Sequence, residues 1–442
     1  MDEQKKTELY IKLGGAFRPG APIDQYRLFS GRQKQVKEIL ATVSQVGRHV
    51  IIFGERGVGK TSLAKILSEV LAKAGLKILD SGTINCDPTD DFSSLWHKVF
   101  RELSVALESQ QVGFTSTASA TPQSLDCLLP ETVRPDDIRF VLKKVPDQML
   151  IIIDELNELR DDTTRSLLAN TVKTLSDHLI NATLILIGVA DSVNSLIAEH
   201  VSIERALVQV PMPKMSWEEL SQVIDYGLKT AEMTIDDPAK SWICWMSHGL
   251  PHFTHSLALY AAHHAVDDGR TNITMLDVAS AAAETVNNSH RILRAHNMAT
   301  VSPQRSSLYA KVLLACALCN KDSLGYFAAS DVKRPMSAIM HKTYEVPHFS
   351  HHLHELSEPE RGDVLRKQGT PRKHRFCFSD PMMEPFVIIH GFANKLLNDE
   401  VLASVMSSVS PTAPAASAPL PPAPHSESAV QEKDLPPAPD RP

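Results

Sequence analysis

The sequence predicts an α/β fold, a parallel sheet sandwiched by helices, continued by an all-α lid and a C-terminal winged-helix domain. Three observations predict it. Between residues 36 and 212, short apolar runs alternate with amphipathic stretches, as strands do when helices cover both faces of their sheet. A glycine-rich loop joins the first of these runs to a helical stretch. From Ser216 to about Asn297 strand patterns stop and helical spacing takes over, and after Ser306 helices precede two short strand candidates near Val364 and Phe376.

The 442 residues leave room for several domains, with 43% hydrophobic and 22% charged residues, ordinary for a chain with sizeable cores. Forty-five Lys and Arg against 52 Asp and Glu give a net charge of −7, which excludes a globally basic nucleic-acid coat but not a local basic patch. Six irregularly spaced cysteines are too few for a disulfide scaffold and suit reduced thiols in a cytoplasmic setting. The start, MDEQKKTELYIKLGG, lacks the apolar core of a signal peptide, and no apolar run is long enough to span a membrane.

Five segments follow in order. Residues 1–28 form an N-terminal segment and 29–212 the nucleotide-binding domain. Within that domain HVIIF (49–53), LKILDSGTIN (76–85), MLIIID (149–154), ATLILIGV (182–189) and ALVQV (206–210) read as buried strands. SLAKILSEVLAKAG and DFSSLWHKVFRELSVAL carry apolar residues at helical spacing, and Gln110 to Pro135, rich in Ser, Thr, Ala and Gln, reads as a surface loop. Residues 213–298 make the helical lid and 299–395 the winged helix. The tail, 396–442, holds ten prolines from Pro411 to Pro442 and too little apolar surface to offset chain entropy, so disorder is expected.

The sharpest chemical signal is GERGVGKT, which matches G-x-x-x-x-G-K-[ST] between a strand and a helix and marks a P-loop NTPase. Gly54, Glu55, Arg56, Gly57, Val58 and Gly59 supply backbone N–H groups to phosphate oxygens, aided by the N-terminus of the following helix. Lys60 reaches the terminal phosphates of ATP, Thr61 offers a hydroxyl to Mg²⁺, and Ser62 follows in the same turn. The apolar run LIII ends in Asp154-Glu155, which places two carboxylates at a strand's C-terminal end. Asp154 would hold the metal's water shell, and Glu155 would polarise the attacking water.

These motifs resemble the AAA+ ATPases, and the Orc/Cdc6-like branch in particular. LFSGR (28–32) looks like the short motif that packs near the base in that branch and in STAND ATPases. TINCD resembles the Orc/Cdc6 pattern, which implies that Asn85 orients Glu155. GVADS occupies the sensor 1 position, with Asp191 where Asn is usual. SIERALVQV puts Arg205 where the family carries an arginine finger acting on a neighbouring subunit, which implies a homo-oligomer. In the lid, HGLPHFTH has Pro251-His252 where Orc/Cdc6 proteins offer a sensor 2 Arg after a Gly. Gly249-Leu250-Pro251 instead resembles the STAND lid motif whose proline packs by the adenine, leaving His252 to meet phosphate only when protonated, or not at all.

Other constellations are weaker. Cys316 and Cys319 have C-x-x-C spacing but lie in an apolar helix with no second pair, as buried small hydrophobes do. His348, His351, His352 and His354 read as a His-rich helix face. HFSHHLHEL has the position of a recognition helix, and six Lys or Arg lie between Arg361 and Arg375. Arg366, Lys367, Arg372, Lys373 and Arg375 are the candidate contacts to double-stranded DNA, through phosphates rather than bases. Two readings stay open: an ATP-hydrolysing switch associated with DNA, and a STAND-like signalling or anti-phage defence ATPase whose winged helix meets an effector protein.

Overall fold

The computed structural model describes residues 1–20, 32–73, 78–105, 123–189, 203–301, 308–322, 324–370, 373–397 and 401. Residues 28–31 of LFSGR, Asp191, Arg372, residues 110–122 of the expected surface loop and nearly all of the expected tail lie outside the described residues. The chain opens with a helix absent from the sequence reading, α1 (Glu3–Ala16), capped by Asp2, whose carboxylate accepts from the Lys5 N–H. Leu9, Leu13, Ala16 and Phe17 are its buried stripe, a helical spacing visible in the sequence.

Strands β1 (His49–Phe53), β2 (Ile78–Asn85), β3 (Gln148–Asp154), β4 (Ala182–Gly188) and β5 (Leu207–Pro211) pair in parallel in the order β2-β3-β4-β1-β5. Because side chains alternate along a strand, Ile52, Ile152 and Ile185 enter one apolar layer and Ile51, Ile151 and Leu184 the other. The first layer is covered by α2 (Gln33–Val43) and α3 (Lys60–Lys73), the second by α4 (Phe92–Glu102), α5 (Pro135–Leu142) and α6 (Asp162–Asp177). Burial on both faces is why these strands read as unbroken apolar runs. The C-terminal ends of β1, β3, β4 and β5 therefore meet along one edge.

A helical group follows: α7 (Trp217–Thr230), α8 (Asp237–Ser247), α9 (Pro251–Asp267), α10 (Met275–Asn288) and α11 (His290–Thr300). The α8–α9 corner is set by local chemistry. His248 and Gly249 take left-handed conformations (φ 48° and 80°), and Pro251 then occupies the first turn of α9, where its missing N–H costs nothing. A side chain at Gly249 would come 2.6 Å from Lys214 Cβ, so the corner also packs tightly on the chain leaving the sheet.

The C-terminal segment runs α12 (Tyr309–Leu318), β6 (Phe327–Ala328), α13 (Ala329–Met340), α14 (Ser350–Glu355), β7 (Leu365–Gln368), β8 (Arg375–Phe378) and α15 (Met383–Ala393). Its three strands are antiparallel in the order β6-β8-β7. The single helix expected over 348–356 is instead a 3₁₀ turn at Val346–His348 followed by the six residues of α14. α15 packs on α10, and Phe392 meets Trp242 of α8 with ring centroids 5.1 Å apart. One continuous apolar cluster thus joins α1, one sheet face, the helical group and the C-terminal segment. Cys316 and Cys319 are buried at the end of α12, and all six cysteines are free. Among the described residues no helix is long and apolar enough to cross a membrane.

Candidate functional site

A cavity of about 1170 Å³ opens at the edge where the strands end, and every residue from Gly54 to Ser62 lines it. The loop needs its glycines for stated reasons. Gly57 and Gly59 have φ of 85° and 94°, which side chains resist, and a Cβ on Gly54 would fall 2.3 Å from the Met212 carbonyl. The Lys60 ammonium donates to the carbonyls of Gly54 (3.0 Å) and Glu55 (2.8 Å), bridging the loop that begins its own helix. Burial lowers the Lys60 pKa, and the nearby Asp154 carboxylate opposes that.

Across the cavity, the Thr61 hydroxyl donates to Asp154 Oδ2 at 2.6 Å, and Asp154 Oδ1 accepts the Glu155 N–H at 2.7 Å. Asp154 is 2% exposed, whereas Glu155 is exposed and takes a left-handed conformation (φ 61°) that turns the chain off β3. Although exposed, Glu155 lines the cavity, and partial desolvation there raises its pKa, with Asp154 and Glu158 adding to it. Asn85 stands opposite Asp154 in the parallel ladder, one residue from Glu155, but outside the cavity lining. Arg205 is exposed in the turn that leads into β5, also outside the cavity.

The lid supplies the next wall. Pro251 Cγ lies 4.0 Å from where a Cβ on Gly59 would stand. His252 does not point to phosphate chemistry. Its Nδ1–H donates to the Pro19 carbonyl (2.7 Å), and burial lowers its pKa, which the bond to Pro19 opposes.

One contributor lies in a motif the sequence singles out, and others do not. Arg32, the only described residue of LFSGR, is 3% exposed, and its guanidinium donates to the carbonyls of Val58 in the P-loop (3.2 Å) and Pro213 (2.5 Å). Its own N–H meets Glu219 of α7 at 3.0 Å. The C-terminal segment also reaches the site. Met382 Sδ lies 2.6 Å from where a Cβ on Gly57 would stand, and Lys321, Arg366 and Asp380 line the same cavity. Nearby, buried Glu384 of α15 meets Lys214 (3.0 Å), His248 (3.1 Å) and Lys321 (2.6 Å), and Lys214 lies 3.8 Å from Glu55 of the P-loop. Only a fold that brings residues 55, 214, 248, 321 and 384 together could reveal that cluster.

The basic hairpin is arranged differently from a free wing. Arg366 donates to the Ser379 carbonyl (3.1 Å), Lys367 pairs with Glu358 (3.2 Å) and Arg375 with Asp322 (2.7 Å). Lys373 is exposed.

With this geometry in view, residues 22–259, just over half of the chain, match the family described as Novel STAND NTPase 1. The chain belongs to that family. No curated protein sequence matches it. Its structure is similar to the Orc1 protein of Aeropyrum pernix solved in complex with DNA, at 15% identity and a TM-score of 0.46, covering 87% of this chain and 98% of that one. It is also similar to Cdc6p from Pyrobaculum aerophilum, at 14% identity and a TM-score of 0.44, covering 87% and 99%. Thermotoga maritima RuvB, the Holliday junction branch migration motor, is similar at 15% identity and a TM-score of 0.40, covering 79% and 93%.

Proposed function

We propose that this STAND-family NTPase is an ATP-binding and ATP-hydrolysing switch whose nucleotide state governs how its C-terminal segment docks, and through it a protein partner. The observation that carries the reading is the contact of that segment with the P-loop itself: Met382 against Gly57, and Glu384 joined to Glu55 through Lys214. A chemical change at the phosphates would be felt there directly.

The chemistry is assigned to residues already described. Residues 54–59 and the N-terminus of α3 cradle the phosphates, and Lys60 neutralises them. The Thr61 hydroxyl and the Asp154 carboxylate, 2.6 Å apart, are a hard-oxygen pair suited to Mg²⁺, which when bound supplies charge to the phosphate oxygens. Glu155 polarises the attacking water, with Asn85 one residue away to orient it. Pro251 closes on the base, and Arg205, exposed and away from its own cavity, serves a neighbouring copy.

The DNA-associated alternative rests on Arg366, Lys367, Arg372, Lys373 and Arg375. What disfavours it is that Lys367 and Arg375 are neutralised by acids of their own segment, while Arg366 lines the nucleotide cavity. An equilibrium titration of wild type and Lys60→Ala with ATP tests the nucleotide assignment. The wild type should bind and turn over ATP, and Lys60→Ala should lose most of its affinity. Equal binding by both would remove the P-loop from the account.

A further inference from the structure

The N-terminal segment is bound to the lid rather than to the sheet it precedes. Tyr10 Oη donates to Asp267 Oδ1 (2.7 Å), and its ring stacks on His263 at 4.3 Å. Lys6 Nζ donates to the Asp267 carbonyl (3.2 Å). Phe17, 1% exposed, is seated on Gly227 of α7, where any Cβ would lie 2.3 Å from its ring. The Phe17 ring also meets His255 edge to face, with centroids 5.9 Å apart. Beyond this anchor, Arg18, Pro19 and Gly20 line the nucleotide cavity.

The lid holds the chain at that wall through His252, whose Nδ1–H donates to the Pro19 carbonyl at 2.7 Å. His252 follows Pro251, which flanks the P-loop, and His255 lies one turn further along α9. Apolar lining residues meet in this part of the cavity: Pro19 is held by His252, Pro251 precedes His252, and the Met215 N–H bonds the Gly249 carbonyl (2.8 Å) two residues before Pro251. Phosphates belong at the other part, among the P-loop N–H groups and Lys60. A planar base attached to them would therefore lie between the N-terminal strap and the start of α9.

We infer that residues 1–20 are a strap that forms one wall of the base subsite, and that His252 is the positioning residue that clamps this wall to the lid. This rests on the reading that the cavity takes a nucleotide. Base recognition then requires both the strap and the lid, held together by the His252–Pro19 hydrogen bond. It also explains the presence of α1, whose contacts to α7 and α9 hold the strap to the lid helices, so that the wall moves with the lid.

The test compares ATP with inorganic tripolyphosphate, which presents phosphates but no base, on the full chain. In the wild type, ATP should bind more tightly than tripolyphosphate. His252→Phe removes the donor to Pro19, and should weaken ATP about 3- to 10-fold, as one neutral hydrogen bond warrants, while leaving tripolyphosphate affinity unchanged. His252→Asn, whose amide N–H can still donate, should recover part of the loss. Phe17→Ala loosens the strap away from the cavity and should give the same selective loss, which separates strap positioning from damage at α9. Equal weakening of both ligands in His252→Phe and Phe17→Ala would mean general loss of structure and overturn the inference, as would unchanged ATP affinity in both. Failure of the wild type to bind either ligand would instead overturn the nucleotide reading on which the inference stands.

Discussion

The Lys214 ammonium stands 3.0 Å from the Glu384 carboxylate, tying the chain that leaves the sheet to a helix more than 160 residues later. Glu384 is 4% exposed and also meets His248 and Lys321, so one buried acid holds three segments of the molecule. Burial alone would raise its pKa, but these cations hold it well below the usual glutamate range.

Removing that charge should therefore be costly. Glu384→Gln leaves the part-buried Lys321, and the more exposed Lys214 and His248, without their buried partner. Breaking a fully buried pair costs about 3–5 kcal/mol, and solvent at Lys214 and His248 should keep the loss below that. Urea titration should show the C-terminal segment releasing earlier than in the wild type. Because the folded pKa is depressed, this stabilisation is present above the unfolded value of about 4.3 and fades as pH falls through the folded value. The variant should lose that part of the acid dependence.

Glu155 gives the opposite sign. Its pKa is raised by partial desolvation first, then by Asp154 and Glu158. Only the carboxylate can polarise water, so the acid limb of turnover should lie above the ordinary glutamate range. Glu158→Gln should move that limb to lower pH. Glu155→Gln should retain ATP binding and lose about 10²–10⁴-fold in turnover. A pH–rate profile of the three proteins checks all of this.

Arg32 ties the P-loop to the start of the lid through two carbonyls. Arg32→Ala leaves the Val58 and Pro213 carbonyls without their buried donor, at a cost on the order of 1–3 kcal/mol. Arg32→Lys should rescue little, because an ammonium cannot reproduce the planar fork. Thermal melts with and without ATP should show lower stability and weaker nucleotide protection in both variants.

The hairpin should be a poor DNA ligand. With Arg366, Lys367 and Arg375 engaged within the chain, duplex binding should be undetectable at moderate salt. If binding were seen, each phosphate interaction that Arg372→Ala with Lys373→Ala removes would reduce the slope of log affinity on log salt by ~0.9. A titration of labelled duplex at two salt concentrations decides it.

The sheet is legible in the sequence because strands buried on both faces must be continuous apolar runs, and the P-loop because its chemistry dictates glycine, lysine and threonine at fixed spacing. Asp154 and Glu155 are legible for the same reason, lying at the end of such a run. The first helix is hard to see although Leu9, Leu13 and Phe17 repeat on one face, since its surroundings are polar. His252 has the sequence position of a phosphate contact, but a carbonyl from residue 19 claims it, and only folding brings the two together. The same holds for Lys214, Lys321, Met382 and Glu384. Charge runs are harder to read, because a sequence does not show which basic residues of the hairpin find acids nearby, as Lys367 and Arg375 do.

The central claim is that nucleotide at the P-loop controls docking of the C-terminal segment, and amide hydrogen exchange over Met383–Ala393 tests it most directly. A terminal phosphate should draw Lys214 away from Glu384 and loosen the helix. With a non-hydrolysable ATP analogue and Mg²⁺, these amides should exchange about tenfold faster than with ADP, and Lys60→Ala should abolish the difference. Identical exchange in the ATP-analogue and ADP states, with both nucleotides shown to be bound, would contradict the account.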